Sequence, residues 1–250
     1  MKTYTINFNV PSDWAELGDK RLRYVYELIA GDYTADELKL LCLLRWSDTK
    51  VVGKQDSGSY LLKKGKMLFE ATPLTLAELL PHLDWLASVP SAPVRLLKIN
   101  RRDALAADFQ GVPFETYIIC DNLYQGYLQT QNDELLDQLA DVLYPGNKAI
   151  KLKPEERISI FYWMAALKDF FSRRFPDFLQ PAAADNANML GGSPNYGAML
   201  QEAMDAQIRA LTKGDVTKES EILALDTWRA LTELNAQAKE YKQLQAATKK

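Results

Sequence analysis

The chain has 250 residues, 47% of them apolar, and a formal charge of −3 with a single histidine. That apolar share supplies a core for one large domain or two modest ones, and it excludes a wholly disordered chain. The slight negative charge gives no general attraction to phosphate backbones, so nucleic acid is not an expected partner.

Residues 3–10 place Tyr4, Ile6, Phe8 and Val10 on one face at period two, the pattern of a half-buried strand that Pro11 ends. The opening MKTYTINFNV lacks the continuous apolar centre of a signal peptide, which points to a cytoplasmic protein. Ser12, or Asp13 with Glu16, is placed to cap a helix carrying Leu22, Val25, Tyr26, Leu28 and Ile29 at helical spacing. Thr34 with Glu37 predicts a capping box before LKLLCLL, and Thr75 with Glu78 another before LLPHLDWL. Between these two helices Gly53, Gly58 and Gly65 punctuate short apolar runs, which predicts a small antiparallel sheet that the N-terminal strand would join.

From residue 100 onward the pattern is helical. Gly111 marks a turn, and Pro113 suits a first helical position before FETYIICDNLYQGYLQTQ because its missing N–H would be unpaired there. NDELLDQLADVLY follows, and then a run after KLKPEE that contains ISIFYWMAAL, residues 158–167. Crossing a bilayer takes about 20 apolar residues, and this run is half that, closed by Lys168, Asp169, Arg173 and Arg174. It reads as a helix buried on most sides, with no membrane span.

Residues 181–194, PAAADNANMLGGSP, hold few bulky apolar groups and read as a linker or surface loop. Beyond them one helical arm ends at Gly214 and a second begins near Asp215 or Thr217. Over 217–245 the second arm sets Leu225, Trp228, Leu231, Leu234, Ala238, Tyr241 and Leu244 in one stripe. Such a stripe either packs across the protein's own body or is presented to a partner. The expected fold is therefore mainly α (α+β): a helical core with a small N-terminal antiparallel sheet and a C-terminal helical hairpin. The expected division is 1–180, a linker at 181–194, and the hairpin at 195–250.

Residues suited to chemistry are few. His82 is the lone imidazole, so any Ser-His-Asp or Cys-His arrangement would have to use it, yet its setting is that of an ordinary helix flank. Cys42 and Cys120 lie in apolar surroundings and read as reduced, buried thiols; two distant cysteines and one histidine are too few ligands for a zinc site of the usual kind. Asp133, Asp137 and Asp141, with Glu134, share a helix face and offer oxygens to a hard cation; the plainer reading leaves them in water opposite a leucine-rich face. GKQDSGS, residues 53–59, lacks the lysine of a phosphate loop, and KKGK, residues 63–66, reads as a solvated turn. FFSRRFPDF, residues 170–178, and the series Tyr117, Tyr124 and Tyr127 read as helix packing in preference to base stacking or a binding cage.

The segments ADFQGVPFETYIICDNLYQGYL, ISIFYWMAALKDFFSRRFPDFLQP and QIRALTKGDVTKESEILALDTWRALTELNAQAKEY resemble an uncharacterised group of proteins encoded in phage and prophage tail regions of gut Bacteroidetes. The resemblance implies a virion-assembly role, that of a cytoplasmic tail assembly chaperone acting on a tape-measure or tail-tube protein. It supplies no catalytic residues. The first expectation is thus a non-enzymatic interaction protein without catalytic residue, metal or cofactor, binding a protein through Leu225, Trp228, Leu231, Leu234 and Tyr241. One alternative is a metal-dependent hydrolase using acids among Asp103, Asp108, Glu115 and Asp121. Another is a virion nucleic-acid-binding protein in which Arg101, Arg102, Arg157, Arg173, Arg174 and nearby lysines converge on one surface.

Overall fold

A computed structural model describes residues 6–179 and 205–248. It is mainly helical, with a three-stranded antiparallel sheet near the N-terminus. The chain divides between Pro90 and Ser91 into two compact units. The linker expected at 181–194 lies outside the described residues, and the described residues on either side of it belong to the same unit.

In the first unit Asp13 accepts from the Ala15 amide at 2.8 Å and caps a short 3-10 turn, Trp14–Glu16. Helix α1, Asp19–Ile29, buries Leu22, Val25, Tyr26 and Leu28, the spacing its sequence predicts. Helix α2, Ala35–Trp46, begins with the expected box: Thr34 Oγ1 accepts from the Glu37 amide at 3.3 Å, and the Glu37 carboxylate accepts from the Thr34 amide at 2.9 Å. Four aromatic residues form the core between them. The Trp14 indole N–H donates to the carbonyls of Trp85 and Ser88, its ring stacks on Tyr26, and Trp46 stacks on Trp85. Each ring buries a large apolar area, so this cluster fixes the two helices to the segment around residue 85.

The sheet follows α2. Strands β1 (Thr49–Lys54), β2 (Tyr60–Lys64) and β3 (Met67–Ala71) run antiparallel in that order, with Val51, Leu62 and Phe69 in register. Leu62 and Ala71 pack with Leu76, and Leu40 and Leu44 of α2 close over them. Of the strand expected over 3–10, residues 3–5 lie outside the described residues, and residues 6–10 do not join this sheet as a strand. They are held by side chains instead: the Phe8 ring meets Phe69 edge-on at 6.3 Å, and the Lys64 ammonium donates to the Asn7 carbonyl. The alternation of Ile6, Phe8 and Val10 thus marked a segment with an apolar side, without the backbone ladder that makes a strand.

The second cap expected in this unit is displaced. Thr72, not Thr75, is the N-cap of the short helix α3, Pro73–Ala77, and accepts from the Thr75 amide at 3.1 Å. Pro73 decides this, because a residue without an N–H fits the first helical position and makes its predecessor the cap. Pro81 likewise breaks the helix expected over LLPHLDWL, where Leu80–Ala87 forms a 3-10 helix.

The second unit opens with a hairpin that the sequence pattern does not announce. Strands β4 (Lys98–Ile99) and β5 (Arg102–Asp103) are joined by Asn100 and Arg101, both at positive φ. Helix α4, Phe114–Thr130, follows Pro113, which sits one residue earlier than expected, at the cap. Gln131 turns the chain in a left-handed conformation, and Asn132 caps α5, Asp133–Leu143, by accepting from the Glu134 amide at 3.0 Å. Helix α6, Pro154–Arg174, buries Ile160, Trp163, Met164, Leu167 and Phe171, as its apolar run demands. Trp163 is fully buried and its indole N–H donates to the Ala107 carbonyl at 2.7 Å, so the largest core side chain has no unpaired donor.

Residues 205–212 form α7. It ends at Lys213 (φ 55°) and Gly214 (φ 83°), and the Gly214 amide returns to the Arg209 carbonyl at 3.1 Å in a Schellman-type closure. Asp215 then caps a 3-10 turn, Val216–Lys218, which leads into α8, Glu219–Leu223. The single arm expected over 217–245 is therefore two helices. The chain breaks at Ala224–Asp226 before α9, Thr227–Thr248.

Candidate interaction surface

The break before α9 is stitched to the start of α4. The Thr227 amide and hydroxyl both donate to the Val112 carbonyl, at 2.8 and 2.7 Å, and the Phe114 amide donates to the Leu225 carbonyl at 2.7 Å. One Asp226 oxygen accepts from the Trp228 and Arg229 amides at 2.9 and 3.2 Å, capping α9. The other accepts from the Gly111 amide at 2.6 Å. A single carboxylate thus satisfies free helix N–H groups and ties the helix to a loop more than a hundred residues away in sequence.

Trp228 completes the seat. Its indole N–H donates to the Asp108 carbonyl at 2.8 Å, and its ring meets Phe170, Phe171 and Phe175 edge-on at 5.8 to 5.9 Å. Ala230, Leu231 and Leu234 are buried on the same helix. One turn on, the Asn235 side-chain oxygen accepts from the Asp177 and Phe178 amides just after α6, and Lys242 pairs with Asp177 at 3.2 Å.

The five residues expected to bind a partner therefore divide. Leu225 is half-buried at the stitched corner, Trp228 is a packing anchor of this unit, and Leu231 and Leu234 are core. Tyr241 is 63% exposed, and Leu244 one turn later is 68% exposed. Tyr241 stands seven positions after Leu234, so the two lie on one helix face about 10 Å apart. The stripe that seats the helix continues past its seat into solvent. Asp226 and Asn235, the residues that set where the seat begins and ends, were missed from sequence. Asp226 followed by the apolar-periodic TWRALTEL is a cap signal of the ordinary kind, hidden by a leucine spacing that runs straight through it.

The residues considered for chemistry are engaged elsewhere. Asp133 is exposed, as its helix face predicts, and Asp137 is half-buried; both pair with Arg157, at 3.0 and 2.9 Å, which draws α5 onto α6. Asp141 pairs with Arg102 at 3.3 Å and accepts from the Ile150 amide at 2.8 Å. Among the acids of the hydrolase alternative, Asp103 pairs with Lys98, Asp108 accepts from the Gln110 amide, Asp121 pairs with Lys168, and Glu115 lies exposed in the first turn of α4. Among the described residues no three His, Cys, Asp or Glu side chains are grouped to hold a metal ion. Of the arginines proposed to converge, Arg102, Arg157 and Arg173 are each matched to a carboxylate.

Protonation follows burial. Cys42 is pushed up to about 12 by burial alone, and Cys120 is raised by burial and, beyond that, by the neighbouring Asp121 carboxylate, so both are thiols at neutral pH and poor nucleophiles. Lys168 sits against Asp121 at 2.7 Å and beside Tyr117 and Tyr124. Burial works against its charge, but the neighbouring oxygens outweigh it and hold the ammonium above its ordinary range. His82 lines an open cleft of about 770 Å³ in the first unit beneath residues 6–12, with Leu43 and Leu79. No carboxylate or thiol lines that cleft beside the imidazole among the described residues. No described helix is long and apolar enough to cross a membrane. Comparison with family models, with curated proteins and with solved structures finds no match.

Proposed function

We propose that this is a non-enzymatic interaction protein that engages an amphipathic helix of a protein partner through the distal part of α9. One observation carries the reading: the apolar stripe that buries Leu231 and Leu234 runs on into exposed Tyr241 and Leu244. An apolar helix face is covered most economically by another helix face, because side chains three and four residues apart interdigitate. The stitched corner at Asp226 and the Asn235 contact hold the proximal half still, so the distal half is presented in one orientation at little entropic cost. The engagement of most of the candidate acids in ion pairs and amide contacts supports a structural use of those residues over a hydrolytic one. On the resemblance to phage tail-region proteins, the partner would be a tape-measure or tail-tube protein and the role that of an assembly chaperone.

The test is affinity capture from the producing cell with the wild-type chain and with Tyr241→Glu plus Leu244→Glu. Both positions are exposed, so the double variant should unfold within about 0.5 kcal/mol of wild type. A specific protein retained by the wild type and lost by the folded variant is the expected result. The same partners captured by both would overturn the proposal.

A further inference from the structure

The sheet of the first unit has two edges, and they are built differently. Strand β1 is guarded: its register slips between Val51 and Gly53 in a bulge, and Lys50 and Lys54 stand on it. Such features discourage another strand from pairing. Strand β3 has none of them. It pairs with β2 in unbroken register from Met67 to Ala71, carries neither proline nor lysine, and leaves Met67 42% and Leu68 61% exposed.

The turn tells which backbone groups the β3 edge offers. Gly65 at φ 58° and Lys66 form a two-residue hairpin loop of the kind with glycine first. A two-residue loop is closed by a hydrogen-bonded pair, here Lys64 and Met67, and such pairs alternate along an antiparallel ladder. Lys63–Leu68 and Leu61–Glu70 are therefore the pairs without bonds between them, and the N–H and C=O groups of Leu68 and Glu70 face away from β2. Among the described residues β3 pairs with no strand but β2, and no loop or turn residue bonds to either amide.

The surface beside this edge is basic. Residues 49–71 hold five lysines against Asp56 and Glu70, on a chain whose net charge is −3. Lys50 and Lys63 stand directly opposite each other in the register, beside Leu68. Like charges so placed repel, and an acidic group supplied from outside relieves that repulsion. No ion pair to Lys50, Lys63 or Lys66 is found among the described residues. Glu70 is the carboxylate at the far end of this face and accepts from the Ser57 hydroxyl.

We infer that the outer edge of β3, with which no described strand pairs, takes an extended, acidic and apolar segment of a partner polypeptide, which adds a fourth strand by pairing with Leu68 and Glu70. Its apolar residues alternate with acids, and an acid opposite Leu68 stands about 10 Å from Lys63 across two strand spacings, within reach of a lysine side chain. Backbone pairing supplies affinity, and the lysines choose the sign of the partner. A nucleic acid would satisfy the lysines but has no strand to offer the outward-facing N–H and C=O groups, which favours a polypeptide.

The test uses the full chain and a synthetic octapeptide alternating Glu and Val, followed by fluorescence anisotropy. Three comparison probes are its Lys and Val counterpart, a copy methylated at alternate backbone nitrogens, and a single-stranded oligonucleotide. The acidic peptide is expected to bind, with affinity falling about tenfold in Lys63→Glu plus Lys66→Glu and with added salt. The methylated copy and the basic peptide are expected not to bind. Absence of binding by the acidic peptide, equal binding by the methylated or basic probe, or tighter binding by the oligonucleotide would each overturn the inference. The surface lies in the first unit, so failure here leaves the proposal for α9 untouched, and the converse holds.

Discussion

Replacing Trp228 by alanine separates a packing anchor from a binding residue. The indole contacts three phenylalanine rings and donates one hydrogen bond to the Asp108 carbonyl. Truncating a large buried aromatic costs about 3–5 kcal/mol, and the lower end applies because Trp228 is only half-buried. Trp228→Phe keeps most of the ring contact and removes the donor, which should cost about 1 kcal/mol. The natural reporters are the amides of Phe114 and Thr227, whose bonds to Leu225 and Val112 close the corner before α9. Followed by native-state hydrogen exchange, a loss of about 3 kcal/mol speeds exchange at these amides by about 100-fold, since each 1.4 kcal/mol is tenfold. Trp228→Phe should speed them by under tenfold. Exchange in Trp228→Ala within about threefold of wild type would show that the side chain does not seat the helix.

Two further outcomes follow from the second unit's polar contacts. Arg157→Met leaves Asp133 and Asp137 facing each other without a cation, and should destabilise this unit by about 1–2 kcal/mol in urea unfolding, with the α5 amides exchanging faster. An unchanged midpoint would mean the bridge is merely superficial. Stability should also fall on the alkaline side. Tyr124 is pushed up to about 12 by burial, and Lys168 is raised because Tyr117 and Asp121 outweigh its own burial, so the folded state binds protons that the unfolded chain releases. Stability from these groups is complete below their unfolded values and is lost as pH rises from about 10 through the folded ones. Thermal unfolding followed across that window, together with tyrosinate absorbance, measures it. A midpoint unchanged from neutral pH to pH 12 would refute the assignment.

The fold was legible where one local rule acted alone. The Thr34 and Glu37 box, the buried run of α6 and the reversal at Gly214 each follow from a few adjacent residues. Errors arose where two rules competed. At residues 72–75 a proline outranked a Thr and Glu pair in choosing the cap, and at Pro81 a missing N–H turned an apolar helical pattern into a 3-10 helix. The hairpin at Asn100 and Arg101 was invisible because an arginine holds the left-handed position that usually advertises itself with glycine. Residues 6–10 show the limit of alternation: a period of two says which side chains share a face, but whether a backbone ladder forms depends on a neighbour the pattern does not name.

The candidate surface was legible only in part, for a reason that bears on function. Helical periodicity identifies a stripe but not how far its cover extends, and Leu225, Trp228, Leu231, Leu234 and Tyr241 satisfy the same spacing. What divides them is long-range and polar. Asp226 takes the Gly111 amide, Asn235 takes two amides after α6, and Lys242 reaches Asp177. These contacts fasten α9 along its first half and one side of its second, while Tyr241 and Leu244 remain exposed. A helix needed only to close a core would gain by ending its apolar face with its seat. That this stripe outruns its seat is the observation on which the proposed recognition of a second helix rests.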